Sequence, residues 1–191
     1  MSENIYFDRK DLKYCGKNII IGKMVRIRKP ELVSIDDGSI IDDFTYISGE
    51  VEIGKYVHIA SSCSLQASKS KITINDFAGI ASGSRIFATS ADFINCSFDS
   101  ATVPQDMGYG GISEDVLIDE FVWIGANSVV LPGCRLPRGF AAGALSKLTK
   151  KIPYKEWHML VNDETGESVR RISVKKMLSA ARKLTGIEYE L

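Results

Sequence analysis

Aliphatic residues recur at every sixth position along most of this sequence. A helix needs apolar residues three to four positions apart and a half-buried strand needs them two apart, so a period of six fits neither. It predicts a coil of short strands, three to a turn, in which each strand points one aliphatic side chain into a shared interior. The series are Ile21 and Ile27; Ile41, Ile47, Ile53, Ile59 and Leu65; Ile74, Ile80 and Ile86; and Ile118, Ile124, Val130, Leu136, Ala142 and Leu148.

Tight corners are predicted between these strands. Gly22, Gly54 and Gly125 each follow an inward aliphatic residue directly, and Pro132-Gly133 fits another corner. Burial of each aliphatic side chain contributes about 1.5–3 kcal/mol, so the repeat should outweigh local propensity. The alternative is a β-sandwich with chance spacing. A small residue also recurs near the predicted corners: Val25, Thr45, Val57, Cys63, Ala78, Ser84, Val122, Ser128 and Cys134.

The repeat divides the chain into three parts. We expect an N-terminal segment at 1–17, a β-helix domain at 18–153 and a C-terminal connection and helix at 154–191. Within the domain the repeat stops at 91–115, a long insertion whose Tyr, Phe and Gly content predicts an ordered arm over a site or a neighbouring subunit. The flat faces of such a coil favour association with further copies.

A short helix is predicted near the end of the chain. Ser173 can cap it, and Gly186 can end it. Its apolar residues lie on one face, and Lys and Arg occupy the remainder. That basic face is either solvated or in contact with phosphates or a membrane surface.

Composition excludes several classes of partner. Lys+Arg and Asp+Glu are each 24, so the chain as a whole has no attraction for nucleic acid or an anionic membrane. No apolar run approaches membrane-spanning length, and the start offers no secretory signal. Cys15, Cys63, Cys96 and Cys134 lack C-x-x-C spacing and are expected to be reduced and mostly buried.

Two segments carry a family resemblance. Residues 122–133, VWIGANSVVLPG, resemble the signature of hexapeptide-repeat acetyltransferases, and residues 142–150, AGALSKLTK, resemble their last full coil. The resemblance implies an all-β, left-handed parallel β-helix that takes an acyl group from acetyl-CoA without a metal. It also implies a cytoplasmic homotrimer with active sites between subunits. Residues 57–60, 82–84 and 102–104 look most like the branch that modifies sugars for bacterial surface polysaccharides, so the acceptor would be a hydroxyl or amine of a sugar or sugar nucleotide.

The resemblance also implies positions for the cofactor. Trp123 would pack against the acyl or pantetheine chain near the reacting carbon, although it is equally suited to a subunit contact. Backbone amides would meet the pantetheine, and a terminal Thr-Lys pair would lie near the adenine and phosphate end. The residues implied are Ala126, Ala144 and Ser146 for the pantetheine, and Thr149 and Lys150 for the other end.

The chain has two histidines that can serve as a base, His58 and His158. His58 precedes the inward Ile59 on a coil face and is the first candidate, with a solvated or structural histidine as the alternative; His158 belongs to the tail. Related sugar acetyltransferases carry their catalytic histidine where the loop leaves the coil, but this chain has Asp92 there. Asp92 can orient His58, bind the acceptor or act alone.

Two functions therefore remain open. The leading one is CoA-dependent acyl transfer to a sugar. The other is a catalytically degenerate β-helix that serves as a binding or assembly module, because the expected histidine is missing at Asp92. Two distant histidines do not make a three-histidine metal site, so a carbonic-anhydrase-like activity is excluded.

Overall fold

The computed structural model describes residues 4–95, 102–104 and 111–190, and within these ranges the chain is a parallel β-solenoid. Short strands stack coil on coil, with two 3₁₀ turns near the start and one C-terminal helix. In chain order the strands are β1 Tyr14–Cys15, β2 Ile20–Ile21, β3 Arg26–Ile27, β4 Val33–Ile35, β5 Ile40–Ile41, β6 Tyr46–Ile53, β7 His58–Ile59, β8 Ser64–Ile74, β9 Gly79–Ile80, β10 Arg85–Phe87, β11 Thr89–Ser90, β12 Ile112–Ser113, β13 Val116–Ile118, β14 Trp123–Ile124, β15 Val129–Val130, β16 Arg135–Leu136, β17 Ala141–Ala142, β18 Lys147–Leu148, β19 His158–Asn162 and β20 Glu167–Arg170, followed by helix α1 Val174–Thr185; the 3₁₀ turns are Arg9–Asp11 and Pro30–Leu32.

The predicted interior column is confirmed. Every aliphatic residue of the six-residue series is buried in one continuous core, and so are the small residues of the second series. Strand pairing keeps the register: Ile41 is paired with Ile59, Ile59 with Ile80 and Ile80 with Ile124. The solenoid therefore forms because each coil places its aliphatic residue directly on that of the coil before it.

The corners require close approach of successive coils. A Cβ on Gly125 would lie 2.4 Å from the Ala144 nitrogen, and one on Gly22 would lie 2.4 Å from an Asp43 carboxylate oxygen. Gly133 also has φ of +76°, a left-handed conformation that disfavours other residues. These glycines are thus required by the backbone, as predicted.

One face of the prism is formed by β2, β5, β7, β9, β14, β17 and β19, in that order, and is called the Trp123 face. The edge that precedes it in each coil carries Tyr56, Phe77, Phe121 and Trp157 and is called the aromatic edge. The edge that follows it carries Ser62, Gly83, Asn127 and Leu145 and is called the open edge. Each of these eight residues has positive φ.

The third edge, called the arm edge, is where the chain departs from a simple repeat. Strands β6 and β8 run continuously around it, with a register shift between Ser48 and Glu50. The insertion begins and ends there as an antiparallel pair, β11 with β12. Ser70 and Ser113 hydroxyls lie 2.8 Å apart, and Asp115 accepts a hydrogen bond from the Lys71 amide at 2.9 Å. The base of the predicted arm is therefore ordered against the coil, while residues 96–101 and 105–110 lie outside the described ranges.

Parallel pairing extends past both predicted ends of the 18–153 domain. At the start, β1 pairs with β4. At the end, β19 pairs with β17, which places Leu160 beside Ala142, and β20 then returns antiparallel to β19. Leu160 keeps the six-residue spacing, twelve positions after Leu148, and Tyr154 at the intervening position packs against the same core.

Helix α1 packs on the aromatic edge. Its Leu178 and Ala181 are buried with Phe121 and Trp157. Gly186 ends the helix in the left-handed conformation, as predicted, but the expected capping by Ser173 is wrong. Ser173 has φ of 59° and its hydroxyl makes no capping bond, because capping requires extended backbone at that position.

The cysteines of the described ranges agree with the expectation of reduced thiols. Cys15, Cys63 and Cys134 are free, and the last two are buried. Burial raises the pKa of the Cys134 thiol to about 12. Cys96 lies outside the described residues. No helix in the described part of the chain is both long and apolar enough to cross a membrane.

Candidate active site

The outward side of the Trp123 face brings together His58, Gly79 and Trp123. Strand pairing sets His58 beside Gly79 on one side, and Trp123 beside Gly79 on the other. The two aromatic side chains therefore stand two strand spacings apart, about 10 Å between Cα atoms, with Gly79 between them. The indole of Trp123 is 56% exposed although tryptophan is usually well buried, which marks this face as a contact surface.

His58 is oriented by a carboxylate. Its Nε2 lies 2.9 Å from an Asp42 oxygen, and both side chains are about half exposed. Because an ionised carboxylate only accepts hydrogen bonds, Nε2 carries the proton in the neutral imidazole and Nδ1 keeps its lone pair. Asp42 was not predicted, although the hexad register places it on the preceding coil beside His58.

Arg171 fixes the surroundings of Trp123. One of its terminal nitrogens, Nη1, donates to the carbonyls of Gly139 at 2.7 Å and Phe121 at 3.2 Å, and its guanidinium lies 6.0 Å from the Trp123 ring centroid. Burial lowers the pKa of Arg171, but the guanidinium stays charged at any physiological pH. Sequence reasoning missed this residue because it lies outside the repeat, in the segment between β20 and α1.

Backbone amides on the open edge are available to a ligand. In an early coil the Asp43 carboxylate accepts a hydrogen bond from the Met24 amide at 2.7 Å. The equivalent positions in two later coils are Ala126 and Ala144, which have no carboxylate. Within the described residues neither alanine N–H donates a hydrogen bond. The Ser146 hydroxyl donates to the Gly143 carbonyl at 3.0 Å, and the Ser146 amide donates to Ser128. Two of the three predicted pantetheine amides are therefore unpaired.

Thr149 and Lys150 lie one face further on, at the arm edge. The Thr149 amide donates to the Tyr154 hydroxyl at 2.8 Å, and the Lys150 ammonium lies 2.7 Å from a Glu114 oxygen at the base of the arm. Four residues of extended chain separate Ser146 from Lys150, about 13 Å, so the two groups of predicted cofactor residues occupy separate corners.

Asp92 begins the arm as a fixed carboxylate. Oδ1 accepts the amides of Ile94 at 3.2 Å and Asn95 at 3.1 Å, and Oδ2 accepts the Asn95 side-chain amide. The Asn95 side-chain hydrogen bond, the largest influence, and the backbone hydrogen bonds lower the pKa of Asp92. The carboxyl is therefore ionised throughout the physiological range.

The predicted residues thus fall in two places. His58 and Trp123 share one face, and Ala126, Ala144 and Ser146 border it along the open edge. Asp92 leaves the coil at the arm edge, which lies across the prism from the Trp123 face. The described residues contain no group of three or more His, Cys, Asp or Glu side chains placed to hold a metal ion.

Comparisons with known proteins identify sugar acyltransferases as relatives of this chain. The chain is 33% identical over 148 residues to the dTDP-4-amino-4,6-dideoxy-D-glucose acyltransferase of Escherichia coli, covering 75% of this chain and 76% of that enzyme. It is 41% identical over 63 residues to the galactoside O-acetyltransferase of Lactococcus lactis, covering 31% and 30%. AntD, an N-acyltransferase from Bacillus cereus solved in complex with dTDP and 3-hydroxybutyryl-CoA, superposes with a TM-score of 0.81 at 27% identity over 96% of this chain and 100% of that chain. No family model matches the sequence.

The match to the E. coli enzyme exceeds 30% identity over three quarters of both chains, and the AntD superposition extends the likeness to almost the whole molecule. Together they confirm the predicted fold and CoA as its cofactor, and they favour the enzyme over the assembly module. The chain belongs to the hexapeptide-repeat sugar acyltransferases, left-handed parallel β-helix enzymes that take an acyl group from a CoA thioester.

Proposed function

We propose that this enzyme transfers a short acyl group from CoA to the amine of a dTDP-linked 4-amino-4,6-dideoxy sugar. The observation that carries the proposal is the agreement of two relatives matched over three quarters or more of their length: one is named for a dTDP-amino sugar, and AntD is an N-acyltransferase solved with dTDP and an acyl-CoA. The resemblance to the polysaccharide-modifying branch adds a setting, the cytoplasmic assembly of a surface polysaccharide.

The chemistry of an amine acceptor explains why a histidine base is dispensable. The nitrogen lone pair attacks the thioester carbonyl carbon, the carbon–sulfur bond breaks, and the nitrogen's proton ends on the departing CoA sulfur. A neutral amine attacks without first losing a proton, whereas a hydroxyl needs a base. Once nitrogen has bonded to carbon its proton becomes acidic, so even a weak base can accept it.

Asp92 fits that role in the proposed reaction. Its low pKa keeps it ionised, so it can accept a hydrogen bond from the attacking amine and hold it in line with the thioester. His58 is held by Asp42 on another face of the coil and is not needed as the base. We therefore propose that Asp92 binds and orients the amine of the acceptor.

We further propose that each active site combines two copies of the chain in a homotrimer. Asp92 leaves the coil at the arm edge, while Trp123 and the free Ala126 and Ala144 amides lie on or beside the opposite face. One copy therefore supplies the cofactor surface, and the arm of its neighbour supplies Asp92. Closed cyclic symmetry repeats that contact at every interface.

The activity is tested by incubating the purified chain with acetyl-CoA or 3-hydroxybutyryl-CoA and dTDP-4-amino-4,6-dideoxyglucose, with mass spectrometry of the nucleotide sugar. We expect the gain of one acyl group, and none on dTDP-glucose, which has a hydroxyl in place of the amine. Acylation of dTDP-glucose at a comparable rate would overturn the amine assignment. Asp92→Asn should lower kcat by about 10²–10⁴-fold with the KM for CoA thioester little changed.

The shared site is tested by complementation. Asp92→Asn and Trp123→Ala variants, each nearly inactive alone, are unfolded, mixed and refolded together. About a quarter of the interfaces then join an intact arm to an intact Trp123 face, so about a quarter of wild-type activity should return. Each variant refolded alone is the control. Mixed oligomers without recovered activity would show that both residues act within one chain.

The pH dependence tests Asp92 separately. Because its folded pKa lies below the ordinary value, activity that depends on the carboxylate is present above that ordinary value and is lost only as pH falls through the lowered pKa. Asn95→Ala removes the largest cause of the shift, so the acid limb of kcat/KM should move to higher pH. If the acid limb is the same in Asn95→Ala and the wild type, the Asp92 carboxylate does not set the pH dependence of activity.

A further inference from the structure

Gly79 lies at the centre of the Trp123 face, where its lack of a side chain opens a notch between His58 and Trp123. The three residues are in strict register, because His58 and Trp123 are each paired with Gly79 from opposite sides. The adjoining positions of the same outward column carry side chains, Ile40 beyond His58 and Ala141 beyond Trp123. The gap is therefore a local feature of one coil.

The fold does not explain this glycine. A Cβ on Gly79 would meet nothing within 4 Å, and its φ is not in the left-handed range. Gly125 and Gly22 differ, since a Cβ on either would lie 2.4 Å from an atom of the next coil. Any small side chain would fit at Gly79 as far as the single chain is concerned. Gly79 therefore leaves space on the outer surface of the coil, where a ligand can enter.

The notch has an apolar wall and a polar wall. Trp123 presents its indole, steadied by Arg171. Opposite it, His58 has Nε2 bonded to Asp42 and Nδ1 left as an acceptor. The Gly79 amide at the floor of the notch already donates to the Val122 carbonyl at 2.9 Å, so it is not available to a ligand. An occupant that fits is an aliphatic chain bearing one hydroxyl group.

We propose that this notch seats the acyl chain of the CoA thioester and selects a short chain with a hydroxyl, which donates to His58 Nδ1. The inference rests on the proposed function and deepens it by naming the donor class. Two strand spacings between His58 and Trp123, less the thickness of the two rings, leave room for one extended chain. Trp123 is the residue already expected beside the acyl group. His58 is thus a specificity residue and not the base.

The test compares donors at a saturating concentration of the amino sugar. kcat/KM is measured for acetyl-, butyryl- and 3-hydroxybutyryl-CoA with the wild-type enzyme, Gly79→Ala, Gly79→Val and His58→Leu. Ile20→Ala is the matched control, since Ile20 faces outward on the same face three strands from Gly79. Circular dichroism and thermal unfolding verify that each variant folds.

In the wild type, 3-hydroxybutyryl-CoA should be preferred to butyryl-CoA. Gly79→Val should lower the ratio of 3-hydroxybutyryl- to acetyl-CoA activity by about 10–200-fold relative to the wild type. Gly79→Ala should fall between the wild type and Gly79→Val, because alanine adds one carbon to the notch and valine adds a branched side chain. His58→Leu should remove the preference for the hydroxyl over plain butyryl, and Ile20→Ala should leave both ratios unchanged.

Other outcomes overturn the inference. Preference for acetyl-CoA in the wild type, or an equal loss with all three donors in Gly79→Val, would mean that the notch does not read the acyl chain. A rise confined to the KM of the amino sugar, measured in a separate series at saturating acyl-CoA, would assign the notch to the acceptor. A wild-type enzyme inactive with every donor would instead be a failure of the proposed function itself.

Discussion

The aromatic edge and the open edge have the same backbone conformation, but the first is packed against helix α1 and the second is exposed. At both, one residue per coil has positive φ and its amide donates to the preceding coil, as Phe121 does to Asp76 and Leu145 to Ala126. Left-handed backbone costs a bulky residue about 1–2 kcal/mol. The aromatic edge offsets that cost by stacking, with ring centroids 5.0 Å apart between Phe77 and Phe121. Leu145, 76% exposed, has no such compensation within the chain.

The difference shows how one repeat serves stability and function. Phe77, Phe121 and Trp157 at the aromatic edge pack with helix α1, and Phe121 is 1% exposed. The open edge has no such cover within the described residues, and the amides of Ala126 and Ala144 are unpaired there. The open edge keeps strained residues exposed, so we infer that a cofactor or a neighbouring subunit covers it.

The largest effect that tests this contrast is on stability. Phe121→Ala removes the centre of the stack and should cost about 3–5 kcal/mol in the free energy of unfolding. Leu145→Ala, at the equivalent corner of the open edge, should change it by less than about 0.5 kcal/mol. Urea unfolding followed by circular dichroism measures both. Similar losses in the two variants would mean that the edges do not differ in this way.

The next effect is on cofactor binding. Ala144→Phe gives the open edge a bulky side chain, and should raise the Kd for CoA at least tenfold while thermal stability stays near that of the wild type. Ser61→Phe makes the same kind of change three coils away, at the equivalent position two residues after the inward Ile59, and serves as the control. Calorimetric titration with CoA gives both constants. Equal affinity in Ala144→Phe and the wild type would place the cofactor elsewhere.

Sequence reasoning reached the solenoid because its cause is local and repeated. Ile53, Ile59, Ile124 and Val130 enter one interior, and each is visible from spacing alone. The cofactor residues followed from a resemblance and not from spacing. The helix and its start after Ser173 were predicted, but the capping bond was not found, since φ at a single position depends on how the helix docks.

The parts of the site that escaped prediction depend on contacts between distant segments. Asp42 reaches His58 from the preceding coil, which the hexad register would have shown. Gly79 was not singled out, because a glycine that the backbone needs and one that leaves space for a ligand look the same in the sequence. Arg171 had no signal at all, because nothing in the repeat indicates that the tail returns to Trp123.

Arg171 joins the aromatic edge to the Trp123 face, so its replacement gives the smallest and most specific of these effects. It donates to the Phe121 and Gly139 carbonyls on the aromatic edge and holds its guanidinium over Trp123 on the adjoining face. Arg171→Lys keeps the charge but removes the planar guanidinium that lies over the Trp123 ring. We expect a three- to tenfold rise in the KM for the CoA thioester, kcat within about twofold, and a shifted Trp123 fluorescence maximum in a Trp157→Phe background.

A purely structural role for Arg171 would instead lower thermal stability with KM and fluorescence unchanged, and that result would separate the tail from the site. Arg170→Lys is the matched control, since the neighbouring arginine is exposed at the end of β20. If the KM change appears only in Arg171→Lys, the C-terminal segment that covers the aromatic edge also sets the geometry of the cofactor surface. The aromatic edge would then be the support on which the position of Trp123 depends.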